Sequence, residues 1–164
     1  MTVSVNNPAN AQEARPVSKE DSASMMVTVI DDDRAVADSL CAVIRSMGIS
    51  TQSCTSPKQF LLDSYPQRPG CIVLDLGLRM DGMNGLDLLN RLAFDDRYPP
   101  VVVWTGTSDV RAVVQAFRSG AADFLLKPCS EAELAKSLSR AMSRDAERRG
   151  LKCESSVLER LAAA

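Results

Sequence analysis

Asp31-Asp32-Asp33, Asp75, Thr105 and Lys127 each follow directly on a short apolar run of the chain. Brought to one place, they make a site of several carboxylates, one hydroxyl and one ammonium. Clustered carboxylates repel and raise each other's pKa unless a cation sits among them. An all-oxygen donor set suits a hard divalent ion such as Mg²⁺, which keeps several waters and takes one or two carboxylates plus a phosphate oxygen. Asp75, alone at the end of its run, can point an oxygen at an incoming phosphorus atom. The metal and Lys127 would offset charge on the transferred group, while the Thr105 hydroxyl donates to one of its oxygens. The chemistry these types permit is an acyl phosphate on an aspartate, with positioning and electrostatics supplying most of the catalysis.

Taken singly, each position has a plainer use. Asp33 suits the N-cap of a following helix, an Asp closing a strand is often a turn residue, and Thr105-Gly106 and Lys127-Pro128 read as turn and loop. Only their joint occurrence at successive run ends favours the site.

The elements that must hold them alternate along the chain. Met26-Val27-Thr28-Val29-Ile30 is a β-branched run, and Val36, Leu40, Val43, Ile44 and Met47 then recur at helical spacing up to Gly48. A strand-like stretch runs from Ile49 to Cys54, and Ser56-Pro57 opens a helix through Phe60 and Leu61. Cys71-Ile72-Val73-Leu74 reads as a strand buried on both faces. After a Gly-rich loop, Leu86, Leu89 and Leu92 mark a third helix. Val101 to Trp104 is a fourth strand, and Val110, Val113, Val114 and Phe117 mark a fourth helix. Ala122 to Leu126 is the last strand, and Ser130 with Glu133 forms a capping box for a fifth helix carrying Leu134, Leu138, Ala141 and Met142. Five β-then-α units in series predict a doubly wound sheet of five parallel strands with five helices, in three α/β/α layers. Sites in such sheets form at the carboxyl ends of strands.

Composition narrows the possibilities further. The 164 residues carry 19 Lys+Arg against 21 Asp+Glu, and a net charge of −2 gives no overall reason to bind nucleic acid. With His at zero, imidazole catalysis and ligation are excluded. No apolar run is long enough to span a bilayer. Five scattered cysteines without a CxxC pair argue against a disulfide framework or zinc site and for a reducing cytoplasm; Cys41, Cys54 and Cys71 read as small hydrophobes. Trp104 reads as a bulky filler of one sheet face and a convenient fluorescence reporter. Residues 1–24 read as a disordered leader, 25–143 as the domain, and 144–164 as a helical linker or tail. That tail is basic at Arg144, Arg148, Arg149 and Lys152, with a second capping box at Ser156 opening a short helix through Leu158 and Leu161.

The motifs Val29-Ile30-Asp31-Asp32-Asp33, Val73-Leu74-Asp75, Val103-Trp104-Thr105-Gly106, Gly120-Ala121-Ala122-Asp123-Phe124 and Lys127-Pro128 resemble, in order and spacing, the receiver domain of two-component response regulators. The resemblance covers roughly residues 26–143 and implies a flavodoxin-like (CheY-like) fold. It implies Asp75 as phospho-acceptor, Asp31 and Asp32 as Mg²⁺ ligands with the Gly77 backbone carbonyl as a third, Thr105 as switch hydroxyl, Phe124 as switch aromatic and Lys127 as phosphoryl partner. The donor it implies is a phosphohistidine on a sensor histidine kinase. The block ending in Lys127-Pro128 is most similar to receivers that precede LuxR-type helix-turn-helix outputs. On that likeness the function is transcription regulation in a phosphorelay, with possible homodimers, and with DNA reached only through an output domain outside this chain.

One stretch departs from the family. Where receivers usually run Asp-x-x-(Met/Leu)-Pro-Gly-x-x-Gly, this chain has Asp75 to Gly85, two residues longer and without the proline, which predicts added backbone freedom beside the site, where the Gly77 carbonyl lies. The altered loop opens an alternative: a receiver-like interaction module that works without phosphate. A phosphatase with an aspartyl-phosphate intermediate is disfavoured, because the position of its usual second Asp is Gly77. The chain reads as a switch with at most slow autodephosphorylation, not an enzyme.

Overall fold

The computed structural model describes residues 25–63, 68–106, 109–150 and 161. The expected leader 1–24 and nearly all of 151–164, including the capping box at Ser156, lie outside the described residues. Leu161 alone of that stretch is described; it is helical and buried.

In chain order the strands are β1 (Met26–Ile30), β2 (Ser50–Cys54), β3 (Gly70–Leu74), β4 (Arg79–Met80), β5 (Met83–Asn84), β6 (Val101–Thr105) and β7 (Asp123–Leu126). Five of them form one parallel sheet in the spatial order β2-β1-β3-β6-β7, while β4 and β5 pair only with each other. The helices are α1 (Arg34–Ser46), α2 (Pro57–Leu62), α3 (Gly85–Ala93), α4 (Val110–Arg118) and α5 (Glu131–Arg149). Sequence order reverses direction between β1 and β3, which makes the crevice outside their carboxyl ends the switch point where ligands bind such sheets.

The central strands bury both faces, so the helices form two separate apolar layers. One gathers Val27, Val29, Cys71, Val73 and Val102 with Leu40 and Ile44 of α1 and Leu134, Leu138 and Met142 of α5. The other gathers Ile30, Ile72, Leu74, Val101 and Val103 with Phe60 of α2 and Leu88, Leu89 and Leu92 of α3. Caps fix where the helices begin: Asp33 accepts from Ala35 N and Val36 N, Ser56 accepts from Gln59 N, and capping boxes pair Asn84 with Asp87 and Ser130 with Glu133.

Helices α3 and α4 form where the apolar residues mark them, but they bury their stripes to different extents. In α3 the buried positions are Leu88, Leu89 and Leu92, with Leu86 only partly covered. In α4 the apolar stripe faces outward: Ala116 is its buried residue, while Val110, Val114 and Phe117 are 72%, 42% and 49% exposed.

The lengthened loop carries a short pairing that its composition does not announce. Its two short strands, β4 and β5, run antiparallel. They turn through Asp81 (φ 58) and Gly82 (φ 71), positive angles that favour a two-residue hairpin turn. Leu78, just before the hairpin, is fully buried, and Gly85 N donates to Leu78 O at 3.0 Å. Asp81 turns to α2, where its Oδ2 accepts from the Ser56 hydroxyl at 2.6 Å.

Past residue 143 the chain continues α5 through Arg149, closed by Gly150 in the left-handed region (φ 65). Asp145 and Ala146 are buried. The Asp145 carboxylate accepts from Gly70 N at 2.8 Å, at the start of β3, and pairs with Arg148 (2.8 Å) and Arg149 (3.0 Å). Arg148 and Arg149 also donate to the carbonyls of Tyr98 and Arg97. These two arginines therefore clamp α5 to the domain.

Candidate phosphoryl-acceptor and metal site

The sheet's own hydrogen bonds place the site. Asp31 N donates to Cys54 O, Asp75 N to Ile30 O and Lys127 N to Thr105 O, at 3.2, 3.1 and 2.8 Å. Each ladder thus runs one residue past its strand, and the residues at the apolar run ends share one carboxyl edge. The polar side chains emerge where the apolar layers stop.

At the switch point, carboxylate oxygens of Asp31, Asp32 and Asp75 lie within 4.8 Å of one another. Asp31 is 2% exposed and Asp75 13%, and Asp32 lies more open. Lys127 Nζ reaches between two of them, 3.1 Å from Asp31 Oδ2 and 3.5 Å from Asp75 Oδ2. Burial pushes the Asp31 carboxyl above the usual carboxylate range, and the Asp75 charge adds to that; the Asp33 N–H and Lys127 work against it. A carboxylate so stressed beside two others is relieved by a cation. Three hard oxygen donors on two adjacent strand ends fit a divalent ion that retains water.

Thr105 is buried at the end of β6, and an open cleft is lined by Asp75, Gly77, Thr105, Gln115 and Lys127. Gly77 presents its N–H to Asp75 Oδ1 at 2.9 Å, holding one acceptor oxygen in place. A Cβ on Gly77 would come 3.3 Å from that oxygen, so the glycine keeps this approach open. Arg79 N of the hairpin donates to Asp32 Oδ2 at 3.4 Å; this tie between the inserted loop and the acidic pair has no signature in the sequence. At Gly85 a Cβ would meet Asp75 O and Leu76 Cα at 2.6 Å, so α3 can start this close to the acceptor only from glycine. Phe124 is partly buried and packs against the apolar layer that holds residues of α2, α3 and α4.

Of the residues singled out from sequence, the structure brings together Asp31, Asp32, Asp75, Gly77, Thr105 and Lys127, with Phe124 three residues before the lysine on β7. Asp81, also on the lengthened loop, is not among the clustered carboxylates and accepts from Ser56. The cysteines carry none of this: the described ones are free thiols. Burial raises the pKa of Cys41, Cys54, Cys71 and Cys129, so they are poor nucleophiles.

Residues 27–139 match the family described as the response regulator receiver domain. The chain is 41% identical over 124 residues to the transcriptional regulatory protein FixJ of Azorhizobium caulinodans, covering 76% of this chain and 58% of that protein. It is 35% identical over 130 residues to nodulation protein W of Bradyrhizobium diazoefficiens, covering 79% and 56%. Among solved structures it is similar to the response regulator StyR (TM-score 0.69, 34% identity, 78% of this chain and 64% of that one). It is similar also to the receiver domain of NtrX from Brucella abortus (TM-score 0.64, 26% identity, 71% and 98%). The chain thus spans a little over half the length of these two curated relatives. No described helix is long and apolar enough to cross a membrane. The matched span runs from the first strand well into α5 and takes in every residue of the acidic edge, and on that footing the chain belongs to the receiver domains of two-component response regulators.

Proposed function

We propose that Asp75 is the residue that accepts the phosphoryl group, from a phosphohistidine of a sensor histidine kinase. The observation that carries this reading is Lys127 Nζ lying 3.1 and 3.5 Å from Asp31 and Asp75 beside a third converging carboxylate. An Asp75 oxygen bonds to phosphorus as the P–N bond to the donor breaks, and the donor ring leaves as neutral imidazole with a proton taken from water. Gly77 N–H keeps the other carboxylate oxygen turned inward. Lys127 places a positive charge beside the incoming group, and Thr105 supplies a hydroxyl at the same cleft. Asp31, Asp32 and Asp75 would hold Mg²⁺, with the Gly77 carbonyl as the further ligand; when bound, the ion neutralises charge on the transferred group.

Phosphorylation then biases a two-state element: Thr105 is drawn inward, Phe124 follows, and the face from Asp109 to Met142 shifts. That face carries the outward apolar stripe Val110, Val114 and Phe117, with Leu126 45% exposed beside it. An uncovered apolar stripe of this kind suits contact with a second copy, which supports a homodimer. Transcription regulation follows the named role of the FixJ relative, and with it a cytoplasmic setting and DNA reached through a separate output domain. The phosphate-independent alternative is disfavoured because the acidic cluster and its lysine are intact despite the longer loop.

Incubation with acetyl phosphate and Mg²⁺, followed by intact mass, tests the reading: one phosphoryl group is added, and none without the metal. Binding of Mg²⁺ is checked separately. Titration of Trp104 fluorescence with Mg²⁺ gives a saturable change, and Asp32→Ala flattens it. An unchanged titration curve in that variant removes Asp32 from the ligand set.

A further inference from the structure

Trp104 lies one residue before Thr105, opposite Leu125 of β7, and packs on the α1/α5 face of the sheet. Its indole Nε1 is buried and makes no well-formed hydrogen bond among the described residues, and the Cys129 thiol is a polar group that comes near it. A buried tryptophan ordinarily anchors through that N–H, and here the ring lacks such an anchor among the described residues. The ring's face is occupied: Lys127 Nζ stands 4.4 Å from its centroid, inside the range of cation–π attraction. The same nitrogen contacts Asp31 and Asp75. Its seat is therefore three-sided, two carboxylates and one aromatic face, on a side chain only 24% exposed.

We propose that Trp104 is a positioning residue for phosphoryl transfer, its ring holding the Lys127 ammonium beside the acceptor before the phosphoryl group arrives. The proposal rests on Asp75 being that acceptor. A lysine on a four-carbon stem has many rotamers to lose, and a charge fixed in advance needs no reorganisation as the reaction proceeds. The attraction acts on the charge, so leucine at this position fills space without holding the ammonium, whereas phenylalanine retains an aromatic face.

A double-mutant cycle on the full chain tests this. Trp104→Leu slows phosphate uptake from acetyl phosphate at saturating Mg²⁺ by roughly three- to tenfold, and Trp104→Phe recovers most of the rate. In a Lys127→Met background Trp104→Leu has no further effect. Thermal midpoints of all the proteins compared report any structural cost separately. Independently of any variant's stability, the wild-type Lys127 ε-CH₂ protons show an upfield ring-current shift in NMR spectra. Equal slowing in both backgrounds, or an ordinary chemical shift for those protons, overturns the positioning role alone. Failure of the wild-type protein to take up phosphate on Asp75 overturns the acceptor reading and the positioning role with it.

Discussion

Asp75→Asn is expected to remain folded and to take up no phosphate from acetyl phosphate and Mg²⁺, a loss on the order of a thousandfold or more in rate. The amide has nearly the volume of the carboxylate but is no nucleophile toward phosphorus. Lys127 keeps its 3.1 Å contact to Asp31, so the lysine is not set loose. Removing the Asp75 charge also removes one of the influences that raise the Asp31 pKa, so the substitution relieves repulsion as it disarms the site. Intact mass after incubation reads the outcome directly. A phosphoryl adduct on the Asp75→Asn protein would move the acceptor elsewhere.

The second large effect is on stability. Asp145 is fully buried and satisfies Gly70 N–H together with Arg148 and Arg149. Asp145→Ala leaves a buried backbone donor without this acceptor and takes one counter-charge from each of two guanidiniums, of which Arg148 keeps Asp96 at 3.7 Å. Removing one partner of a buried pair costs about 3–5 kcal/mol. The low end applies here, because Arg148 and Arg149 are 37% and 21% exposed and water can reach them. About 3 kcal/mol corresponds to a fall of roughly 6–12 °C in thermal midpoint for a chain of this size. Asp145→Asn retains an acceptor for Gly70 and is expected to lose less. Melting followed by circular dichroism decides it; midpoints unchanged by the alanine variant would show that the clamp contributes nothing.

The contrast between these two aspartates shows what the sequence makes legible. Asp75 ends a five-residue run buried on both faces, and strands of that kind deliver their last residue to the carboxyl edge whatever else the fold does. Asp31 and Lys127 are readable for the same reason. Asp145 looks like any charged residue on an amphipathic helix. Its partner Gly70 lies 75 residues away, and no local pattern encodes that meeting. The basic residues after Met142 suggest a solvated tail until Arg148 and Arg149 are seen capping carbonyls of the α3–β6 connection.

The loop after Asp75 shows a subtler limit. Its extra length and missing proline are visible in the sequence and predict looseness. What the sequence does not announce is its path, set by a buried Leu78 and a hairpin across Asp81-Gly82, where Asp81 tolerates its positive φ better than most residues. The α4 stripe shows another limit: helical periodicity fixes which residues share a face, but not whether that face meets the core. The stack of Trp104 on Lys127 required knowing both that β6 and β7 are neighbours and which face the indole takes.

β3 carries Gly70, gripped by Asp145, at its first residue and delivers Asp75 just past its last. Five residues of extended chain separate the two positions by about 17 Å, beyond the distance at which exposed charges sense one another in physiological salt. Free-energy changes from Asp145 and Asp75 substitutions should therefore sum to within about 0.5 kcal/mol. A cold incubation of Asp145→Ala, well under its lowered melting point, should phosphorylate as fast as the parent protein. Robustness and chemistry can then be engineered apart on one strand.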